Sequence, residues 1–306
     1  MKMRAFSLEA WCKLSMKTVD LHVHSNFSDG TLSPRELVAL AVQKGLSAIA
    51  LTDHDTVSGV KDALSAAKEQ NAPLQVIPGT ELSAEYNGND IHIVGLFIDY
   101  QNKELIEKTS LFIKRRTNRN AEMVKRLQDA GIPITLEAMQ KDNPDTVITR
   151  AHFAKFLVTH NIVKTPKDAF TLYLNHNTPY YVPRVKMSGQ DAIRLILHAG
   201  GLPVLAHPMH YKLGEQVLRK MIKEFKETGL AGIEVKYSNH TKEEEDFVAD
   251  LAREYNLLPS GGSDFHGSNK PAISLGTGRG SLSVPYSYLE QLAQHVIVKG
   301  NANAFP

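Results

Sequence analysis

In the segment TVDLHVHS (18–25), Asp20, His22 and His24 recur at every second position. Side chains alternate across a strand, so in an extended segment all three point to one face. Such a face has no place in an apolar core, because burying unpaired polar groups costs several kcal/mol. The pattern returns along the chain. Asp53-His54-Asp55 ends the run SAIALTDHD, Glu81 ends LQVIPGTE, His92 lies in DIHIV, and His207 ends LPVLAH. Asp264 and His266 are again two residues apart. A single histidine at a strand end is ordinarily a hydrogen-bonded structural residue. Several strands ending in imidazole or carboxylate point instead to a shared metal centre.

The composition agrees with that reading. The 306 residues include 13 histidines and one cysteine, which excludes a disulfide framework and a thiolate zinc cluster. Lys plus Arg number 35 against 33 Asp plus Glu, a formal charge of +2, so a generally basic nucleic-acid coat is excluded. No apolar run of about 18 residues appears, so no membrane-spanning helix is expected. Residues 1–16 carry Lys2, Arg4, Glu9 and the lone Cys12 and lack a signal-peptide core. They are read as an appendage, with Met16 a candidate natural start, and the location is expected to be cytoplasmic.

The elements that must position these residues alternate. Strands are expected at 18–25, 47–55, 74–86, 202–208, 231–240 and 257–266, with 90–99 folding back through the Asn87-Gly88 hairpin. Ser33-Pro34-Arg35-Glu36 is a capping box with Pro at the first helical position. Further helices are expected near 57–70, from Ser188 to about His198, at 215–228, and after a Thr241/Glu244 cap. Strand–helix alternation predicts an α/β fold with a parallel sheet or barrel, whose functional residues come from strand C-termini. The charged helix at 102–130 and irregular helical stretch at 135–180 interrupt the rhythm. The expected organisation is therefore an appendage (1–16), a first barrel part (17–100), a helical insertion (101–185), and a second barrel part (186–306).

DLHVHSNFSDGTLSP, LTDHDT, GTELS, AHP and GGSDFH together resemble the PHP (polymerase and histidinol phosphatase) superfamily. The resemblance implies a distorted (β/α)7 TIM-like barrel with a three-metal centre. It implies His22, His24, Glu81 and Asp264 around one ion, and Asp29, His54 and His266 around a second. It places Glu81, His92 and His207 around the third, with Glu81 bridging. Asp20 would then orient a ligand imidazole. Imidazole and carboxylate donors suit Mn, Zn or Fe, and Mg less well. Three dications outweigh three carboxylates, so the centre would attract a polyanion such as phosphate. The implied chemistry is phosphoester hydrolysis by metal-activated hydroxide, with Asp264, His22 and His266 at the reacting centre. Either Asp264 or a metal-bound water would protonate the leaving oxygen.

Substrate choice is expected to come from the insertion. Arg150 and His152 open a helix, and Tyr180 and Arg184 lie in the Pro-limited segment PYYVPR (179–184). Arg suits phosphate and Tyr can stack on a base, although both arginines could instead pair with carboxylates. Lys114-Arg115-Arg116 with Arg119 reads first as a solvated helix face, and otherwise as a guide for a nucleic-acid backbone. The insertion and the SDGTLSP opening resemble the stand-alone PHP nucleotide phosphatases and exoribonucleases, which implies that the insertion caps the site and that the substrate is a 3′,5′-bisphosphate nucleotide or short 5′-phosphorylated RNA, without stable duplex DNA binding or membrane association. A small-metabolite phosphatase of the histidinol-phosphate type is the alternative. A non-catalytic metal-stabilised module is disfavoured because all nine ligand positions are filled, and an amidohydrolase because of the late SDxH pair.

Overall fold

The computed structural model describes residues 17–141, 146–183 and 186–298. Among them, β1 (Thr18–Val23), β2 (Ala48–Leu51), β3 (Gln75–Tyr86), β4 (Asn89–Leu96), β5 (Met187–Ser188), β6 (Leu202–Leu205), β7 (Gly232–Tyr237), β8 (Leu258–Gly262) and β9 (Val284–Pro285) share one sheet. Its order is β8-β7-β6-β4-β3-β2-β1-β9, with β5 beside β3. β4 runs antiparallel to both β3 and β6, while the β1/β2, β2/β3, β6/β7 and β7/β8 pairs are parallel. Just past β8 the path meets itself. Val23 pairs in parallel with Phe265, the Asp264 N–H donates to the His22 carbonyl, and the His24 N–H donates to Phe265. The result is an α/β fold with a nearly closed, mixed, barrel-like sheet. Closure depends on a side chain being absent, since a Cβ on Gly262 would lie 2.3 Å from the His22 Cβ.

The helices are α1 (Pro34–Gln43), α2 (Val60–Glu69), α3 (Lys103–Asp129), α4 (Leu136–Met139), α5 (Arg150–Thr159), α6 (Pro166–Ala169), α7 (Gly189–His198), α8 (Glu215–Thr228), α9 (Lys242–Glu254) and α10 (Tyr286–Val298). A π-turn, Phe170–Leu174, follows α6. The expected capping boxes at Ser33/Glu36 and Thr241/Glu244 are present. The strands expected at 202–208 and 257–266 end early; the backbone leaves the ladder just before His207 and Asp264.

Alternation divides β2 between two apolar layers. Ile49 and Leu51 pack with α1, α2, α7, α8 and α9 residues such as Leu37, Val60, Ile196, Phe225 and Val248. Ala48 and Ala50 pack with Val19, Leu21, Ile77 and the α10 residues Leu289 and Leu292. Between β4 and β5, α3 to α6 have a core of their own around Met123, Leu127, Phe153 and Leu157. Hydrogen bonds join it to the loop after β1, where the Val147 N–H donates to the Phe27 carbonyl at 3.1 Å and the Thr146 hydroxyl to the Ser28 carbonyl at 3.0 Å. No helix among the described residues is long and apolar enough to cross a membrane.

Candidate metal centre

His22 and His24 emerge at the end of β1, and the loop that follows folds Asp29 back toward them. Asp53 holds that loop, accepting from the Ser25 N–H at 2.7 Å and from the Ser25 and Ser28 hydroxyls at 2.6 Å each. Its tightness demands Gly30, whose Cβ would sit 2.3 Å from the His24 carbonyl oxygen. His54 follows β2 and pairs in parallel with Glu81 of β3, and His92 lies on β4 opposite Ser83. His207 (φ 27°) and Asp264 (φ 56°) are held in the left-handed region, which costs an L-residue about 1–3 kcal/mol and turns both side chains off their strand directions.

Glu81 is the hub. Its Oε1 lies 2.8 Å from His92 Nδ1 and 3.0 Å from His207 Nε2. Its Oε2 lies 2.9 Å from His54 Nδ1, 3.3 Å from His24 Nε2 and 3.4 Å from His22 Nε2. Asp264 Oδ1 is 3.3 Å from both His24 Nε2 and His266 Nδ1, and Asp29 Oδ1 is 3.0 Å from His266 Nε2. All nine candidate ligands thus converge. Their donor atoms form four overlapping groups, each within 4.8 Å: His24/Asp29/His54/His266, His22/His24/Asp264, His22/Glu81/His207 and His54/Glu81/His92. The grouping differs from the one the resemblance implies: His24 also joins Asp29, His54 and His266, and Glu81 is not in the His22/His24/Asp264 group. His92 and His207 reach the same Glu81 oxygen, but His92 clusters with His54 and His207 with His22.

Divalent ions fit this donor set. His22 Nε2, His24 Nε2, His54 Nδ1, Asp29 Oδ1 and Glu81 Oε2 are buried and make no hydrogen bond. Buried polar atoms are otherwise almost always satisfied, and five orphans converging on one spot are what cations would resolve. The carboxylates and imidazoles shift one another. Burial raises Glu81, but His92, His54 and His22 outweigh it and keep its carboxyl well below the usual range. Asp29 is held low in the same way by His266 and His54, and Asp264 by Lys270 and His266. Burial, reinforced by His266 and His54, drives His24 well below the usual imidazole range. Burial also lowers His54, yet Glu81 and Asp29 prevail and raise it to about 9.

The groups that orient these ligands were mostly hidden in the sequence. Glu234 of β7 places Oε1 3.1 Å from His22 Nδ1 and accepts the His207 N–H at 2.7 Å through Oε2. Asp20, expected in that role, holds the backbone instead; it accepts from the Ser263 and Gly276 N–H groups at 2.8 and 2.7 Å. The reason is barrel closure, which brings β8 against β1 and uses Asp20 as the clasp. The Tyr237 hydroxyl and the Lys270 ammonium donate to Asp264 Oδ2 at 2.9 and 2.7 Å, and the Thr149 hydroxyl donates to Asp29 Oδ2 at 3.0 Å. Glu234 had one signal, a carboxylate inside the buried run AGIEVKY; strands buried on both faces rarely carry one.

Above the centre lies a cleft of about 260 Å³, with His54, His92 and His207 on its floor. Arg116, Arg119, Arg150 and Lys186 line its walls, with Tyr181. Arg150 therefore lies in the cleft wall. It also lies 3.6 Å from Asp90 and 5.8 Å from the Phe170 and Tyr181 ring centres. Tyr180 is not among the cleft residues; its ring packs on Tyr173 at 5.4 Å, and Tyr181 takes the place foreseen for it. His152 faces a neighbouring cavity, and its Nδ1 accepts the Thr149 N–H at 3.1 Å, capping α5. Arg184 lies outside the described residues. The solvated-face reading holds for Lys114 and Arg115, which are exposed, and fails for Arg116 and Arg119, which are buried. Those two are three residues apart on α3, on the face turned to the barrel, where Arg116 pairs with Asp55.

A nearly closed mixed barrel carrying this histidine–carboxylate cluster defines a metal-dependent phosphoesterase. The model of the PHP domain matches residues 20–238, and the chain belongs to that family. It is 38% identical over 250 residues to a 5′-3′ exoribonuclease of Haemophilus influenzae, covering 82% of this chain and 90% of that protein. It is 35% identical over 263 residues to a 3′,5′-nucleoside bisphosphate phosphatase of Chromobacterium violaceum, covering 85% and 91%. Among solved structures, a candidate metal-dependent phosphoesterase of Bifidobacterium adolescentis superposes with a TM-score of 0.81 at 30% identity, covering 91% of this chain and 96% of that one.

Proposed function

We propose that this chain hydrolyses phosphate esters of nucleotides, either 3′,5′-bisphosphate nucleotides or short 5′-phosphorylated RNA. The observation that carries the reading is the pairing of a Glu81-centred histidine cluster with a wall of Arg116, Arg119, Arg150 and Lys186 directly above it. A polyanion with a flat base suits that cleft, because guanidinium groups grip phosphate and Tyr181 offers a ring face. The names of the two relatives support the same substrate class.

Three ions, with manganese, zinc or iron the best match to the donors, would be held by His22, His24, Asp29, His54, Glu81, His92, His207, Asp264 and His266. When bound they would supply a Lewis acid for the phosphoryl oxygens and an acidified water as nucleophile. The protein's own groups do the rest. Glu81 divides its two oxygens between two sets of imidazoles and so fixes their spacing. Glu234 holds the His22 ring with Nε2 facing the centre. Arg150 and Lys186 bind the phosphate from the cleft wall. Asp264, kept ionised by Lys270 and His266, acts as a ligand rather than as the proton donor.

One assay panel with manganese tests the reading, comparing adenosine 3′,5′-bisphosphate, a 5′-phosphorylated RNA oligomer and histidinol phosphate. The expected preference is for the nucleotides, and a preference for histidinol phosphate overturns it. His22→Ala and His266→Ala should abolish turnover and lower metal content; full turnover in either removes the assigned centre.

A further inference from the structure

Helix α5 serves two cavities. Thr149, Arg150 and Ala151 belong to the cleft over the metal centre. His152, Lys155, Phe156, Thr159 and His160 line a second cavity of about 660 Å³. These five recur at intervals of three and four, so they form one stripe down the helix. Asn26, Gly30 and Thr31, from the loop that carries Asp29, line the same cavity. Asp29 is bonded to residues of both walls: Thr149 donates to its carboxylate at 3.0 Å and Asn269, a second-cavity residue, to its carbonyl at 2.7 Å. From Thr149 to His160 the helix axis covers about 16 Å.

The second cavity is lined by Lys141, Lys155, His152 and His160 beside hydroxyls and amides, with no carboxylate among its described lining residues. The exposed His160 ring lies flat on Phe156, with ring centres 3.8 Å apart and planes within 19°. Its Nδ1 is held 2.9 Å from the Phe156 carbonyl oxygen. Ammonium groups flanking a flat ring are how single-stranded nucleic acid is held without reading sequence, charges taking phosphates and rings taking bases. The metal-facing cleft, at about 260 Å³, is smaller than a usual pocket for a drug-sized ligand, so a chain longer than one nucleotide must leave it.

We propose that the second cavity holds the single-stranded RNA chain beyond the nucleotide seated at the metal centre, so that α5 sets the preference between oligonucleotide and mononucleotide. The proposal rests on the nucleotide phosphoesterase reading above.

The test uses the full chain with Lys155→Glu and His160→Ala, both at exposed positions, with unfolding midpoints measured to confirm that each variant folds. kcat/KM is measured with manganese on adenosine 3′,5′-bisphosphate and on a 5′-phosphorylated hexaribonucleotide. Binding of the labelled hexamer is followed by anisotropy in chelator across a salt series. The ratio of oligomer to mononucleotide kcat/KM should fall about tenfold in each variant. The salt slope of binding should lose about one unit in Lys155→Glu. An unchanged ratio, or wild-type turnover of the bisphosphate without the hexamer, overturns the proposal while leaving the nucleotide reading intact. Wild-type turnover of histidinol phosphate with neither nucleotide substrate overturns both.

Discussion

Oε1 of Glu234 lies 3.1 Å from Nδ1 of His22, deep in the barrel, so the opposite nitrogen of that ring faces Glu81. The second oxygen of Glu234 accepts the His207 N–H, which ties two candidate ligands from different strands to one carboxylate. A histidine ligand whose far nitrogen donates to a carboxylate has its tautomer set and its basicity raised.

Glu234→Gln should therefore weaken divalent-ion binding by about 10- to 100-fold while leaving all nine donors in place. Titration calorimetry with manganese measures this. Wild-type affinity in the variant would show that Glu234 serves folding alone.

Glu81→Gln removes the counter-charge shared by His92, His54 and His22. The variant should lose the thermal shift that ions produce in the wild type. That shift corresponds to about 2.7 kcal/mol for one site at an ion concentration a hundredfold above Kd. Differential scanning fluorimetry with and without chelator measures it, and an undiminished shift in the variant would contradict the hub role.

Ion binding should release protons through the neutral range. His54 is raised to about 9 in the ion-free protein, so it is charged at pH 7, and a ligand imidazole must be neutral. Affinity should consequently rise with pH up to about 9, by about tenfold per unit for one displaced proton. Calorimetry in buffers of different ionisation enthalpy counts those protons. Flat affinity from pH 7 to 9 would remove His54 from the set.

Arg116→Ala should destabilise the fold by about 3 kcal/mol, because it removes one member of a buried ion pair with Asp55. Arg115→Ala, one position along on the exposed face, should change stability by less than about 0.5 kcal/mol. Equal unfolding midpoints for the two variants would show that both arginines are solvated.

The candidate ligands were legible in the chain because strand geometry is local. A residue at every second position shares a face whatever the rest of the molecule does, so D-x-H-x-H and SDFH announce a polar strand end. The capping boxes and the Asn87-Gly88 hairpin were legible for the same reason. Register between distant strands is not local. Only closure of β8 onto β1 diverted Asp20 to Ser263 and left Glu234, 212 residues from His22, to orient that ring. Likewise, helical periodicity placed Arg116 and Arg119 on one face of α3, but packing against the barrel decided that this face, and not that of Lys114 and Arg115, covers the centre. Local strand patterns in the chain marked the candidate donors and the strands that carry them. The tertiary structure decided which carboxylate holds each ring and which arginines overlook it, because those distances are set by packing between segments far apart in the chain.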